Sequence, residues 1–266
     1  MKKLIIASFA LLLLLNSCDD GFGLFDGGKR IVGKGSVEKQ DRDAKDFKGI
    51  DLMATGDVFV KQGSVYKVVV EGQKNITDLI ETVVENNILL IKMKEGSWNL
   101  SYEKLNIYIE TPSVSSLEIS GSGDITVESA FQTDDMAVSI SGSGNIKLPN
   151  GLTAKTLKSE IGGSGDIQIG SSTVTDLAAS VFGSGNFTIK GTGDKAKLSV
   201  TGSGDIEANE FVAKSVEAQT TGSGNITCHA TESIDAQITG SGDIRYSGNP
   251  PAVKASETGS GNVTKK

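Results

Sequence analysis

Ile161-Gly162-Gly163-Ser164-Gly165-Asp166-Ile167-Gln168-Ile169 sets out the unit from which most of this chain is built. Its kernel is Gly-Ser-Gly, then Asp or Asn, then a large apolar residue. It occurs at Gly121–Ile125, Gly142–Ile146, Gly163–Ile167, Gly183–Phe187, Gly202–Ile206, Gly222–Ile226, Gly240–Ile244 and Gly259–Val263. Successive kernels begin 21, 21, 20, 19, 20, 18 and 19 residues apart, and a fixed short period of this kind is the mark of a solenoid. Two residues before each kernel stand Ile119, Ile140, Ile161, Val181, Val200, Thr220, Ile238 and Glu257. Two residues after its apolar member stand Val127, Leu148, Ile169, Ile189, Ala208, Cys228, Tyr246 and Lys265. Apolar spacing of two on both sides of a Gly-rich corner reads as strand, corner, strand. One coil alone buries too little to offset its ordering, whereas stacked coils share strand ladders and a continuous core. The expected fold is all-β, a single-stranded parallel β-helix (solenoid) with about twenty residues per coil over 117–266.

The fourth kernel position alternates without a break: Asp124, Asn145, Asp166, Asn186, Asp205, Asn225, Asp243, Asn262. Stacked equivalents lie about 4.8 Å apart. An unbroken Asp ladder at that spacing would cost about 3.5 kcal/mol per neighbouring pair at an effective dielectric of 20. Interleaved Asn doubles the carboxylate separation, and its amide can donate to the carboxylates on either side. Two kernels in one wider coil, with separate Asp and Asn edges, fit the same pattern. This ladder, with Ser122, Ser143, Ser164, Ser184, Ser203, Ser223, Ser241 and Ser260 beside it, is the most distinctive surface candidate. The plainer reading is a set of corners that only builds the coil.

The N-terminus sets the compartment. Met1-Lys2-Lys3 precedes the apolar run Leu4–Leu15, too short to span a bilayer and suited to a secretory signal over 1–17. Leu15-Asn16-Ser17-Cys18 resembles a bacterial lipobox, which implies acylation of Cys18 and a membrane partner reached through its acyl chains. Asp19 and Asp20 resemble the export signal of surface lipoproteins, so the expected location is the outer membrane, at the cell surface or on the periplasmic face. Residues 18–30 read as the lipidated Cys and a Gly-rich tether. The chain carries 26 Lys+Arg against 33 Asp+Glu, a net charge of −7, and cleavage ahead of Cys18 makes it −9. An acidic mixed surface argues against nucleic acid as a partner.

Residues 31–116 read as wider coils of the same β-helix. Phe47–Val60 alternates in period two and contains Thr55-Gly56-Asp57-Val58, a degenerate kernel, so it is expected to form an earlier coil. Ile31–Val37, Val65–Glu71, Ile88–Lys94 and Leu105–Glu110 read as strands, and Glu38–Asp46 as a charged stretch. Asn75–Val84 has apolar residues at 76, 79, 80, 83 and 84, which predicts a helix with Asn75 as N-cap, inserted to cover one end of the core. In the eighth repeat Glu257 and Lys265 replace apolar residues. They either discourage strand addition or mark a contact with a second copy, a homo-oligomer through the C-terminal end.

Phe47-Lys48-Gly49-Ile50-Asp51, Gly56-Asp57-Val58, the Val65–Glu71 strand, Leu89–Lys92, Ile107–Pro112 and the Gly-Ser-Gly series, taken together and in order, resemble the GIN-domain family, described as auto-transporter adhesin heads. The resemblance covers roughly residues 45 to 264. It implies a single-chain β-helix akin in shape to pectin lyases, an adhesin function, and no catalytic set. No run of amphipathic barrel strands follows the repeats, so the expected anchor is the lipid.

Catalysis finds little support. Ladder carboxylates with identical neighbours lack the separated acidities that acid and base roles require. His229 is the only His, which leaves no triad and too few nitrogen ligands for zinc. Cys228 falls at an inward position beside outward His229, and adjacent strand residues point to opposite faces. One carboxylate per two coils supplies too little charge for calcium, and no corner has the Lys of a phosphate loop. No metal or cofactor is expected. Trp98 and Tyr102, expected on one loop, are the candidate platform for a glycan or protein ligand. A carbohydrate-active enzyme would need Glu95, Glu103 or a neighbouring coil to add carboxylates there. The expected function is a lipid-anchored, non-enzymatic, adhesin-like or structural surface protein of the cell envelope. The alternatives are that enzyme and a passive envelope assembly protein.

Overall fold

The structure, a computed structural model, describes residues 29–96 and 98–266, and the side chains of Lys29 and Trp98 are outside that description. The signal sequence, Cys18, Asp19, Asp20 and the tether up to residue 28 lie outside the described residues. Among the described residues, no helix is long and apolar enough to cross a membrane.

The repeats form a parallel β-solenoid with one kernel per coil. Ile125 pairs with Ile146, Ile146 with Ile167, Ile167 with Phe187, and so on to Val263. That register removes the two-kernel coil. Each coil has three sides: a strand before the corner, a strand after it, and a third side where Phe131 pairs with Leu152, Ala154 with Val174 and Gly191 with Phe211. From Ile167 onward the post-corner strand, the third side and the next pre-corner strand merge into continuous strands, Ile167–Val181, Phe187–Gly202, Ile206–Gly222 and Ile226–Gly240. Inward positions alternate with outward ones, so Ile119, Ile140, Ile161, Val181, Val200 and Ile238 stack in one buried file. Thr220 interrupts that file, and its hydroxyl donates to Gly224 O at 2.7 Å, which satisfies a polar group the core could not otherwise hold. Cys228 is buried where the sequence pattern puts it, and burial pushes its thiol up to about 12.

The first part of the chain is threaded out of sequence order. Its elements are β1 (Lys29–Val32), β2 (Val37–Arg42), β3 (Gly49–Leu52), β4 (Asp57–Gln62), β5 (Lys67–Gln73), α1 (Lys74–Thr77), β6 (Ile80–Glu85), β7 (Ile88–Met93), β8 (Trp98–Ser101) and β9 (Leu105–Thr111). The regular array then begins with β10 (Ser116–Ile119) and β11 (Ile125–Val127). On the pre-corner side the order along the stack is β6–β7–β3–β10, and on the post-corner side it is β2–β5–β9–β4–β11. The degenerate kernel at 55–58 does form a coil of the solenoid. It is sandwiched between β7 and β9, which follow it in sequence, and the first regular coil.

One short helix does lie in this half, and only its predicted extent over 75–84 is corrected. Only Lys74–Thr77 is helical, one turn with Gln73 at its N-cap, and Ile80–Glu85 is a strand antiparallel to β7. Asn86 and Asn87 both have positive φ, 51° and 64°, which is the two-residue type I′ hairpin turn. The β-branched run Thr82-Val83-Val84 then favours strand over helix. Asn75 is not the cap. It accepts from Lys34 N at 2.8 Å and donates to Val32 O at 2.9 Å, pinning the chain between β1 and β2. The stack is therefore closed at this end by antiparallel β2 and β6. Residues 38–42 of the expected charged stretch belong to β2, whose Lys39 and Asp41 give that edge the charges that discourage strand addition.

The kernel glycines are fixed by close approach between coils. A Cβ on Gly144 would lie 1.8 Å from Gly123 O, and one on Gly165 would lie 1.8 Å from Gly144 O. The corners stack backbone on backbone, with no room for a methyl group. Gly144→Ala is expected to cost roughly 3 kcal/mol or more in urea unfolding. Ser143→Ala, one residue away and exposed, is expected to stay within about 0.5 kcal/mol of wild type.

Candidate functional site

The fourth kernel position is a hydrogen-bonded ladder that runs along the stack. Asp124 Oδ1 accepts from Asn145 N at 2.8 Å and from Asn145 Nδ2 at 3.0 Å. Asn145 Oδ1 in turn accepts from Asp166 N at 3.0 Å. The two steps alternate through Asn186, Asp205, Asn225 and Asp243, and Asn262 N closes the series on Asp243 Oδ1 at 3.0 Å. From Asn145 to Asn225 the Asn amide therefore donates to the carboxylate of the preceding coil only, not to both neighbours as the sequence suggested. On its other side it offers an oxygen to a backbone N–H. The kernel serines line the outside of the corner, all exposed.

The ladder extends past the first kernel. Asp57 lies opposite Asn106, and Val58 opposite Ile125, so Asp57 stands beside Asp124. This is the one step where two carboxylates meet without an Asn between them. On the adjacent strands Asp51 lies opposite Glu118. Both acid pairs fall on the same seam, where the coil of β3 and β4 meets the first regular coil. Burial, followed by the Asp124 charge, holds the Asp57 carboxyl above its ordinary value. Burial, followed by Asp51, does the same to Glu118.

Tyr102 meets that seam. Trp98–Ser101 is strand β8, paired in parallel with β1, which corrects the loop expectation. The Trp98 side chain lies outside the described residues. Tyr102 is half-buried against the core and lines a cleft of about 470 Å³ with Asp57, Glu103, Lys104, Ser122 and Asp124. Glu103 is exposed, with its N–H donating to Gln73 Oε1 at 3.0 Å. Glu95 is exposed on the bend after β7. Cys228 and His229 point to opposite sides of their strand, Cys228 buried and His229 half-buried. Among the described residues no three His, Cys, Asp or Glu side chains converge as a metal-holding group.

A second concave surface went unread in the sequence. On the outer face of β4 and β9, Phe59 and Tyr108 are directly paired, with ring centroids 5.4 Å apart and planes 20° from parallel. Tyr108 OH donates to Glu71 Oε2 at 2.9 Å and accepts from Asn106 Nδ2 at 3.1 Å. Lys104 binds Glu71 at 2.7 Å, and that hydrogen bond leads in holding the Glu71 carboxyl below its usual range. Lys39 Nζ sits 5.1 Å from the Tyr108 ring centroid, a cation–π distance. Beside the rings runs a charge-alternating file, Lys67, Glu110 and Lys61, with Lys61 and Glu110 bonded at 2.9 Å. Phe59, Tyr108, Lys39, Lys61, Lys67 and Glu110 line a groove of about 360 Å³. Period two does place Phe59 and Tyr108 outward on their strands. Their adjacency depends on β9 inserting beside β4 across 49 residues of chain, which no local signal reports.

The seam gives a pH test. Because Asp57 is held above 3.8 in the fold, the folded state binds that proton more tightly than the unfolded chain does. Ionised Asp57 thus costs stability at neutral pH, and the cost disappears as pH falls through its raised value. Asp57→Asn restores the alternation. It is expected to raise the melting midpoint at pH 7 by about 1–3 °C, with the gain shrinking to nothing in acid; a gain independent of pH would contradict the assignment.

The fold has known counterparts. The pattern of the family described as "Putative auto-transporter adhesin, head GIN domain" matches residues 46–180 and 137–250. A crystal structure described as a putative lipid binding protein from Parabacteroides distasonis ATCC 8503 is 30% identical, with a TM-score of 0.85, over 90% of this chain and 100% of that one. A putative adhesin from Bacteroides fragilis NCTC 9343 is also 30% identical, with a TM-score of 0.69, over 89% of this chain and 100% of that one. A putative adhesin from Parabacteroides merdae ATCC 43184, at 21% identity and a TM-score of 0.83 over 89% and 99% of the two chains, shares the fold. No functionally curated protein matches the chain. The chain belongs to the GIN-domain family, the one described as "Putative auto-transporter adhesin, head GIN domain".

Proposed function

We propose that this chain is a lipid-anchored, non-enzymatic binding protein of the bacterial envelope, an adhesin-type solenoid held at the outer membrane through Cys18. The observation that carries the non-enzymatic part is the use made of the conspicuous carboxylates. In each ladder Asp from Asp124 to Asp243, Oδ1 is taken by the N–H of the next coil. Each of these carboxylates holds the next coil in the same way, so none has the distinct surroundings that separate acid and base roles require. The repeats thus serve as a rigid spacer, and the chemically varied surface lies at the N-terminal end with the aromatic groove and the seam cleft. The family's adhesin description supports an envelope location. The lipobox Leu15–Cys18 supports the anchor, and Asp19-Asp20 support export to the outer surface.

Proteolytic shaving of intact cells tests this reading. The wild-type chain is expected to be cleaved and Asp19→Ala/Asp20→Ala protected, while Cys18→Ser shifts the protein from the membrane to the soluble fraction. Protection of the wild type would remove adhesion to external partners. An unchanged membrane fraction for Cys18→Ser would remove the lipid anchor.

A further inference from the structure

Resting on that reading, we infer that the Phe59–Tyr108 groove is its ligand site and that it takes a neutral pyranose segment of a glycan. The aromatic pair is singular in its outward file: along the same face the next positions are Thr126, Lys147, Gln168 and Thr188. The pair is also held in place before any ligand arrives. Tyr108 is tied through Glu71 to Lys104, and Lys61 is tied to Glu110. Fixed rings and fixed polar walls reduce the ordering cost of binding.

The charges decide the ligand class. The groove is lined by Lys39, Lys61 and Lys67 and by Asp41, Glu110 and Glu128, so the two signs are equal in number. A phosphate or polyuronate site needs an excess of cations, which this lining lacks. A pyranose matches it: C–H bonds on one ring face suit aromatic carbon, and hydroxyls around the rim suit alternating ammonium donors and carboxylate acceptors. The groove lies on the face of the sheet, with β5 and β2 continuing it beyond β9. Its aromatic floor is on β4 and β9, interior strands, and it reaches the edge strand β2 only at Lys39 and Asp41, whose charges discourage a peptide from adding as a strand. At about 360 Å³ the groove falls in the size range of small-ligand sites.

The test uses the full chain in detergent micelles on immobilised neutral glycans (oligoglucose, oligomannose and oligo-N-acetylglucosamine). Polygalacturonate and mixed phosphatidylcholine–phosphatidylglycerol vesicles are the acidic and lipid arms. Neutral glycan is expected to retain the wild type, and Phe59→Thr to weaken retention about tenfold. Thr already occupies the equivalent outward position on β11, so the strand tolerates it. Phe59→Tyr is expected to keep binding, as is Thr188→Ala farther along the file. Retention by polygalacturonate or vesicles alone overturns the inference, as does no retention on any arm. Neutral-glycan binding that Phe59→Thr leaves unchanged, with an unchanged melting midpoint, overturns it too. Cell shaving reads exposure independently, so a shaved protein that ignores glycans loses this ligand class and keeps its place at the surface.

Discussion

Every corner of this solenoid is stitched in two directions by the same residue. Asn145 gives its N–H to the Asp124 side chain, and its carbonyl accepts from Ile125 N at 2.8 Å. One residue on the following coil therefore satisfies a side-chain acceptor and a backbone donor on the preceding one. Only a side chain with an oxygen one carbon beyond Cβ reaches this position, which restricts it to Asp or Asn. Alternation then follows from charge and valence together. Asp can accept both the N–H and the amide of the next Asn, and the Asn oxygen returns one bond to the next Asp without a second charge. Glycine on either side of the serine follows from the same closeness, because the corner backbones stack where a Cβ would collide.

The joint between the irregular and regular parts shows what happens when that rule lapses. At the seam Asp57 meets Asp124 and Asp51 meets Glu118, two like-charge contacts on neighbouring strands. Ser120 softens one of them by donating to Asp51 Oδ1 at 3.1 Å. Tyr102 and Lys104 close over the other side in the cleft. The chemical variety of the molecule is thus concentrated where the repeat is broken. Repetition gives rigidity at the cost of making every coil look alike, so recognition has to come from the coils that escape the pattern.

How much of this is legible in sequence depends on whether a signal is local. The coil, the inward file and the buried Cys228 all follow from period two around a fixed kernel, and the structure agrees with each. The Asn75–Val84 segment misleads because its apolar spacing fits a helix turn. The two Asn residues at 86–87, between apolar runs, carry the hairpin signal that outweighs it. The out-of-order threading of β9 beside β4 has no local signature, and so neither does the Phe59–Tyr108 pair that it creates. Trp98 and Tyr102 are neighbours in sequence, whereas Phe59 and Tyr108 are brought together only by strand pairing.

The measurement that bears most directly on the corner as the origin of the stack is urea unfolding of Asp166→Ala beside Ser164→Ala. Asp166 accepts from both Asn186 N and Asn186 Nδ2, at 2.8 and 3.0 Å, whereas Ser164 is exposed on the same corner. Asp166→Ala is expected to lose about 1–3 kcal/mol by leaving part-buried donors without a partner, and Ser164→Ala to remain within about 0.5 kcal/mol of wild type. If both variants unfold at the wild-type midpoint, core packing and strand ladders hold the coils by themselves and the Asp/Asn ladder is not what the stack depends on.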